Sequence, residues 1–352
     1  MRKAKKDVAV HEHSKAPSMG RREFLCHCGV GGVATAAMLA GINTPAVAGN
    51  LTIKATHGSG LCNMAIFLAH ARKMTEQYGI NLEFVNAPAS ADIAAIFGSG
   101  QVDLTSVPYS NYFTLIDKGA PVKIVAGTGV EGCVIVAQPG IDSAEKLAGK
   151  SLGTFQADTL EVLPYDWTKK HGVDWKTMDV KFMGSSPEIV QAFVNGNVDS
   201  ICHIEPYASQ ALQSVPGAHV LSDGTDIYGP YYTDCVIAVS DRLIDADRDA
   251  VKNIIRTFML AQHESEKDRM QACKDTVGTY YKTDFETLID ASTKQFLMID
   301  QRRHQDFMIE RSVSMMELGY TRKPIDESAF DWSMLEEVIA EEPELYRSLI
   351  VI

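Results

Sequence analysis

After residue 50, short apolar runs alternate with amphipathic stretches. Leu51–Thr56 reads as a strand and His57-Gly58-Ser59-Gly60 as a turn. Met64, Phe67, Leu68, Ala71 and Met74 form one helical face that ends near Gly79. Leu82–Val85 is a second strand, and Ser90 is placed to cap a helix running to Phe97. Strands follow at Val102–Thr105 and Val122–Ala126, with a helix over 111–117 between them. A second series starts at Val134–Ala137. It continues through strands at Ser151–Phe155, Val180–Phe182, Ser200–Cys202 and His219–Leu221, separated by helices beginning near Asp142, Asp158 or Thr159, Pro187 and Pro206. Cys235–Val239 closes the pattern as a strand. From Asp241 onward the periodicity is helical throughout, with Asp245 or Asp247 capping a long helix through Ile254, Ile255, Phe258 and Met259.

Alternation of strand and helix predicts parallel sheets covered by helices on both faces. Two such series predict two α/β lobes. The chain is expected to cross between them near Gly127-Thr128-Gly129 and again within 225–233. This makes lobe 1 discontinuous, 49–128 plus 234–352, and lobe 2 residues 129–233.

The first 48 residues have a different character. A polar basic segment leads to Arg21-Arg22, then to a mild apolar stretch over 30–42, then to Ala46-Val47-Ala48. Basic, apolar and small in that order is a signal peptide, and paired arginines before weak hydrophobicity are the mark of twin-arginine (Tat) export. Cleavage before Gly49 is expected, leaving a periplasmic chain. The full sequence has 33 basic and 45 acidic residues. Removing the leader's seven basic and three acidic residues leaves 26 and 42, a net charge of −16. Such a surface repels nucleic acid and anionic lipid. Of seven cysteines, Cys26 and Cys28 lie in the leader; Cys62, Cys133, Cys202, Cys235 and Cys273 remain, at wide spacings in mostly apolar surroundings. Buried thiols are expected, with pairing not readable from sequence.

Several stretches carry a family resemblance. Ala91-Asp92-Ile93-Ala94-Ala95-Ile96-Phe97-Gly98-Ser99-Gly100-Gln101-Val102-Asp103, the run 118–126, and Ala144-Glu145-Lys146-Leu147-Ala148-Gly149-Lys150 appear in a characteristic order. They are followed by Val194-Asn195-Gly196-Asn197-Val198-Asp199 and Glu205-Pro206-Tyr207. Together these resemble the substrate-binding proteins of nitrate, sulfonate and taurine ABC importers, a family that also includes thiamine-pyrimidine binding and synthesis proteins. The resemblance implies the type II periplasmic-binding-protein fold, an α/β clamp with a ligand cleft between its lobes and here a helical C-terminal tail. It implies a small-molecule ligand, an ABC permease and its ATPase as partners besides the Tat machinery, and a monomer without cofactor or metal. Carried over position by position, the cleft candidates are His57 and Ser59, beside Gly58 and Leu61, then Ser106, Tyr109 and Ser110, beside Pro108. Thr128, Gln156, Asp158 and Thr159 follow, with Glu205 beside His203 and Tyr207, and Tyr232 beside Tyr231. Asp158 and Ser110 equally suit helix caps, Glu205 a helix start, and the tyrosines packing under a loop.

These loops contain no lysine or arginine but do contain Asp158 and Glu205. A carboxylate at a helix start takes the N–H groups that an anion would use. The pattern therefore favours an amine or amino-heterocycle, such as taurine or a thiamine-type pyrimidine, over a bare oxyanion. Three other readings stand beside this one. An enzyme is disfavoured, because no HExxH, Gly-x-Ser-x-Gly, P-loop or GxGxxG motif occurs and the pyrimidine synthases' cysteine-rich motif is missing. A metal- or redox-cofactor-binding protein would use Cys62, Cys133, Cys202, His57 and His203, which lack short ligand spacings. A ligand sensor feeding a membrane kinase would use the same clamp. N-terminal sequencing of the exported protein is expected to begin at Gly49; a start at Met1 would remove the signal-peptide reading.

Overall fold

The structure, a computed structural model, describes residues 51–87 and 89–350; the expected signal peptide and its expected cleavage site lie outside them. Eleven strands are present among the described residues: β1 Leu51–His57, β2 Ile80–Phe84, β3 Leu104–Pro108, β4 Val122–Glu131, β5 Cys133–Ala137, β6 Ser151–Thr154, β7 Asp179–Phe182, β8 Ser200–Ile204, β9 His219–Ser222, β10 Thr233–Ser240 and β11 Gln295–Leu297. They form a six-stranded sheet ordered β11-β4-β10-β3-β1-β2 and a five-stranded sheet ordered β7-β6-β8-β5-β9.

The sheets are mixed rather than wholly parallel. β2, β1 and β3 run parallel, but β10 enters antiparallel between β3 and β4. In the second sheet β7, β6 and β8 are parallel, while β5 is antiparallel to both β8 and β9. The physical reason is connectivity. A strand arriving from the other sheet needs no crossover helix, so it can add in either direction. Two other expectations change. The Gly127-Thr128-Gly129 run does not turn but lies inside β4, which continues to Glu131. The C-terminal region is mostly helical, yet β11 pairs with β4 through Gln295–Leu297.

Local sequence explains most element starts. Asp158 accepts from the Leu160 N–H and caps the helix Thr159–Lys170. Asp247, not Asp245, accepts from Ala250 N–H and caps the long helix Arg248–Lys267. The N-cap position of the helix Ser90–Gly98 is Ala89, one residue before the expected Ser90, and the Asp92 carboxylate accepts from the Ala89 N–H. The helix Met64–Ala71 is buried over its first six residues, and it joins the helix Arg248–Lys267 in the largest core cluster. The helix Gln305–Glu317 lies against both the helix Tyr109–Asp117 and the helix Thr159–Lys170, so the C-terminal region touches helices associated with both sheets. Arg311 pairs there with Asp166 at 2.8 Å. None of the helices among the described residues is long and apolar enough to cross a membrane.

The two glycines of β4 act by absence of a side chain. A Cβ on Gly129 would lie 2.3 Å from the Cβ of Cys62, and one on Gly127 would lie 2.4 Å from the Gln301 side chain. Glycine here signals close approach rather than a turn. Gly129→Ala should therefore destabilise the fold by about 1–3 kcal/mol, the usual range for overpacking, measured by denaturant unfolding; an unchanged midpoint would contradict this packing.

Candidate functional site

The carboxyl ends of β1 and β3 in one sheet, and the segments after β6 and β8 in the other, open onto one cavity of about 250 Å³. Such a position is where open α/β sheets bind ligands. The volume lies just below the roughly 300–1,000 Å³ of drug-sized sites, so the cavity suits a small solute. Direct hydrogen bonds join the two sides around it. Ser59 Oγ meets Ser186 Oγ at 2.6 Å, Leu61 N–H donates to Glu205 O at 2.8 Å, and Asn111 Nδ2 donates to Ala157 O at 3.1 Å.

Two carboxylates set the chemistry of this cavity. Asp158 and Asp234 both line it, at 3% and 1% exposure. Asp158 Oδ1 receives the Leu160 N–H at 3.1 Å and the Thr159 hydroxyl at 3.3 Å. Asp234 Oδ1 receives the Thr159 hydroxyl at 2.8 Å and the Cys133 thiol at 3.3 Å, while Oδ2 receives the Cys235 thiol and Gln295 Nε2, each at 3.1 Å. Every one of these donors is neutral. Burial raises the Asp158 carboxyl from 3.8 to about 7, with nearby Asp234 adding to it, and burial raises Asp234 as well. Burying an ionised carboxylate without an opposite charge is costly, so these two groups hold their protons to higher pH.

The remaining polar lining is also rich in acceptors. His57 Nδ1 lies 2.8 Å from Gly58 O, and a carbonyl can only accept, so that nitrogen carries the proton. Burial holds the ring's pKa below its ordinary value, which keeps it neutral and leaves Nε2 as an acceptor. The rings of Phe67 and Phe84 meet His57 edge-on with centroids 4.6 Å away. Asn63 is fully buried, and its Oδ1 has no hydrogen-bond partner among the described residues. Hydroxyls complete the lining: Ser59 from the same turn as His57, and Ser185 and Ser186 at the start of the helix Ser186–Val194. Lys282 lines the rim, its ammonium donating to Gly278 O and Thr279 O.

Of the residues expected in the cleft, His57, Gly58, Ser59, Pro108, Asp158 and Tyr207 line the cavity. Others lie elsewhere for physical reasons. Ser106 and Thr128 face each other at 3.4 Å inside the first sheet. Tyr109 is buried against Phe113 and Phe307 in the core, and Ser110 is fully buried beside it. Tyr232 is fixed under a loop by its hydroxyl, which donates to Asp223 O at 2.8 Å, and Tyr231 packs against Phe296. Gln156 is exposed. Glu205 is buried at the start of the helix Tyr207–Ser214, its oxygens taken by Ser209 N–H and Oγ. Thr159 sits behind the two carboxylates and orients them. His203 accepts the Ile204 N–H at Nδ1, so Nε2–H donates to Ser186 O at 3.2 Å and supports the serine turn.

Cavity residues that sequence patterning missed include Asn63, Asn111, Ser185, Ser186, Asp234, Cys235, Tyr280 and Lys282, while Cys62, named only for the metal-binding alternative, lines the cavity as well. Asp234 and Cys235 had one available signal, a charged residue opening an otherwise apolar strand. The absence of lysine held for the predicted loops; Lys282 arrives from the C-terminal region, which the strand-helix pattern did not bring to the site.

The chain belongs to the NMT1-like family, whose profile matches residues 57–278. Its fold is that of ABC-importer binding proteins. A ligand-binding component of an ABC-type import system from Staphylococcus aureus, solved with zinc bound, superposes with TM-score 0.71 at 18% identity, covering 82% of this chain and 99% of that one. The periplasmic aliphatic sulphonate binding protein SsuA from Escherichia coli gives 0.67 at 18% identity, covering 80% and 92%. The periplasmic nitrate-binding protein NrtA from Synechocystis PCC 6803 gives 0.68 at 14%, covering 85% and 90%. No curated protein sequence matches the chain significantly.

The raised Asp158 carboxyl makes ligand-free stability depend on pH. The unfolded chain sheds this proton near 3.8 and the folded chain only near 7. Between those values unfolding releases a proton, so this group's contribution falls as pH rises through the window. Asp158→Asn keeps a good helix cap and removes the titration. The variant is expected to melt higher than the parent at pH 8 and to match it more closely at pH 5; equal melting shifts at both values would show that Asp158 ionises freely.

Proposed function

We propose that this chain is the periplasmic solute-binding component of an ABC importer, exported by the Tat route. Its ligand is a small organic molecule bearing a protonated amine or amino-heterocycle, of the taurine or thiamine-pyrimidine class. The observation that carries the ligand class is Asp158, buried in the cleft beside Asp234 with only neutral partners. In the binding mode we infer, the amine sits against Asp158, with His57 Nε2 and Asn63 Oδ1 as further acceptors. A polar or anionic end points toward Ser59, Ser185, Ser186 and the Lys282 rim. Lobe 1 comprises 49–128 with 234–352, lobe 2 comprises 129–233, and they close over the solute. The protein then presents it, as a monomer, to a permease and its ATPase.

The zwitterionic reading also accounts for the kinship with sulfonate binders. The start of the helix Ser186–Val194 offers the hydroxyls of Ser185 and Ser186 to an oxyanion, whereas the Asp158 helix start is already occupied by its own carboxylate. A bare anion would have to lie beside two carboxylates.

Calorimetry against taurine, amino-pyrimidines, short alkanesulfonates and nitrate tests the class. Amine-bearing compounds should bind and amine-free anions should not; tight nitrate or alkanesulfonate binding with no amine binding would reverse the reading. Asp158→Asn should weaken amine binding about 30-fold or more, since losing one partner of a buried charge pair costs about 2–5 kcal/mol. With Asp158 titrating at about 7, affinity for an amine that stays charged should rise about tenfold from pH 6 to pH 8.

A further inference from the structure

Cys62 and Cys235 stand beside Asp234 in the wall of the cleft, and all three are almost completely buried, at 2%, 1% and 1% exposure. One donor atom from each residue, two sulfurs and a carboxylate oxygen, lies within 4.8 Å of the other two. This constellation is not an accident of neighbouring sequence. Cys62 comes from the turn after β1, while Asp234 and Cys235 come from β10. In a regular strand adjacent side chains point to opposite faces. The β4–β10 ladder shifts register between Thr233 and Cys235 and again between Cys235 and Val236. A bulge of that kind lets neighbours reach one side, and Cys235 Sγ indeed approaches Asp234 Oδ2 to 3.1 Å. Gly129 contributes from the opposite side, because only a residue without Cβ admits Cys62 so close to β4.

We propose that Cys62, Cys235 and Asp234 form a binding site for a zinc-class divalent cation, with its fourth coordination position facing the cleft. A tetrahedral zinc ion with bonds of about 2.3 Å to sulfur and 2.0–2.2 Å to oxygen needs donors roughly 3.4–3.8 Å apart, a spacing that the observed cluster reaches with small side-chain adjustment. Two thiolates select a borderline-soft metal over magnesium or calcium. As the metal–sulfur bonds form, the two thiol protons leave to solvent. The carboxylate already has the supporting bonds that such ligands need: the Thr159 hydroxyl holds Oδ1 at 2.8 Å and Gln295 Nε2 approaches Oδ2 at 3.1 Å. Three protein ligands with one open position is the arrangement of a reactive or ligand-receiving metal rather than a purely structural one. This inference shares Asp234 with the surroundings of Asp158 but is carried by Cys62 and Cys235, so it is tested without any organic ligand.

The test uses the full-length chain without an affinity tag, carrying Cys26→Ser and Cys28→Ser so that the leader supplies no thiols. The protein is stripped with a chelator and titrated with cobalt(II), without any organic ligand. One cobalt per chain should bind with strong near-ultraviolet thiolate-to-cobalt charge transfer, of an intensity matching two cobalt–sulfur bonds, and zinc should abolish it. Cys62→Ser and Cys235→Ser should each weaken binding by more than the roughly 10–100-fold typical of losing a supporting residue, while Cys273→Ser should retain the spectrum. The parent spectrum counts sulfur ligands by itself, so the answer stands even where a serine variant fails to fold. Absence of charge transfer from protein whose five thiols all titrate as free after denaturation would overturn the proposal. So would a Cys62–Cys235 disulfide in the exported protein, or a spectrum that persists in both serine variants. Failure of the amine reading would leave these cobalt results unchanged.

Discussion

The return of the chain through β10 is the constraint on which the rest of the molecule depends. β10 leaves the second sheet's neighbourhood, inserts between β3 and β4, and is buried along all eight residues. A strand buried on both faces must be apolar, and Val236, Ile237, Ala238 and Val239 satisfy that. Its first residues meet a different requirement. They emerge where the two sheets face each other, and there the ladder is irregular. That irregularity puts Asp234 and Cys235 beside Cys62, and through Thr159 it ties the first sheet to the capped helix Thr159–Lys170. The fold and the chemistry of the cleft thus share one segment.

A second theme is that this cleft is built against stability. Two carboxylates share a dry environment in which burial disfavours ionisation of both and Asp234 further disfavours that of Asp158, and neither is neutralised by a basic partner among the described residues. Perturbed carboxyls of this kind cluster at functional sites. The full sequence carries a net charge of −12, and an acidic surface attracts cations and repels anions.

The site was legible where function coincided with a local rule. Asp158 stood out because a carboxylate before Thr159 is a helix cap, and the cap position happens to be the cleft wall. His57 and Ser59 stood out because they follow a strand in a turn. The tyrosines show the limit of such reasoning. Tyr109 and Tyr232 offer the same surface in sequence as a binding aromatic, yet both pack into cores, since large rings lower the free energy more by burial than by exposure. Glu205 likewise reads as a free carboxylate but is consumed by Ser209.

What the sequence determined by itself is the alternation of strands and helices, the narrowing of two helix starts to Asp158 or Thr159 and to Asp245 or Asp247, and the two-lobed α/β class. These follow from hydrophobic period and from backbone donors at helix starts, both of which act within a few residues. Only the tertiary structure decided strand direction at β5 and β10, the strand character of Gly127-Thr128-Gly129, and the meeting of Cys62 with Asp234 and Cys235. Each of those joins segments distant in sequence. Glycine cannot announce whether its missing side chain serves a turn or a close contact, and a cysteine in an apolar run cannot announce its neighbour. The packing of two sheets across the cleft supplies that information, because it alone sets which atoms are left without water.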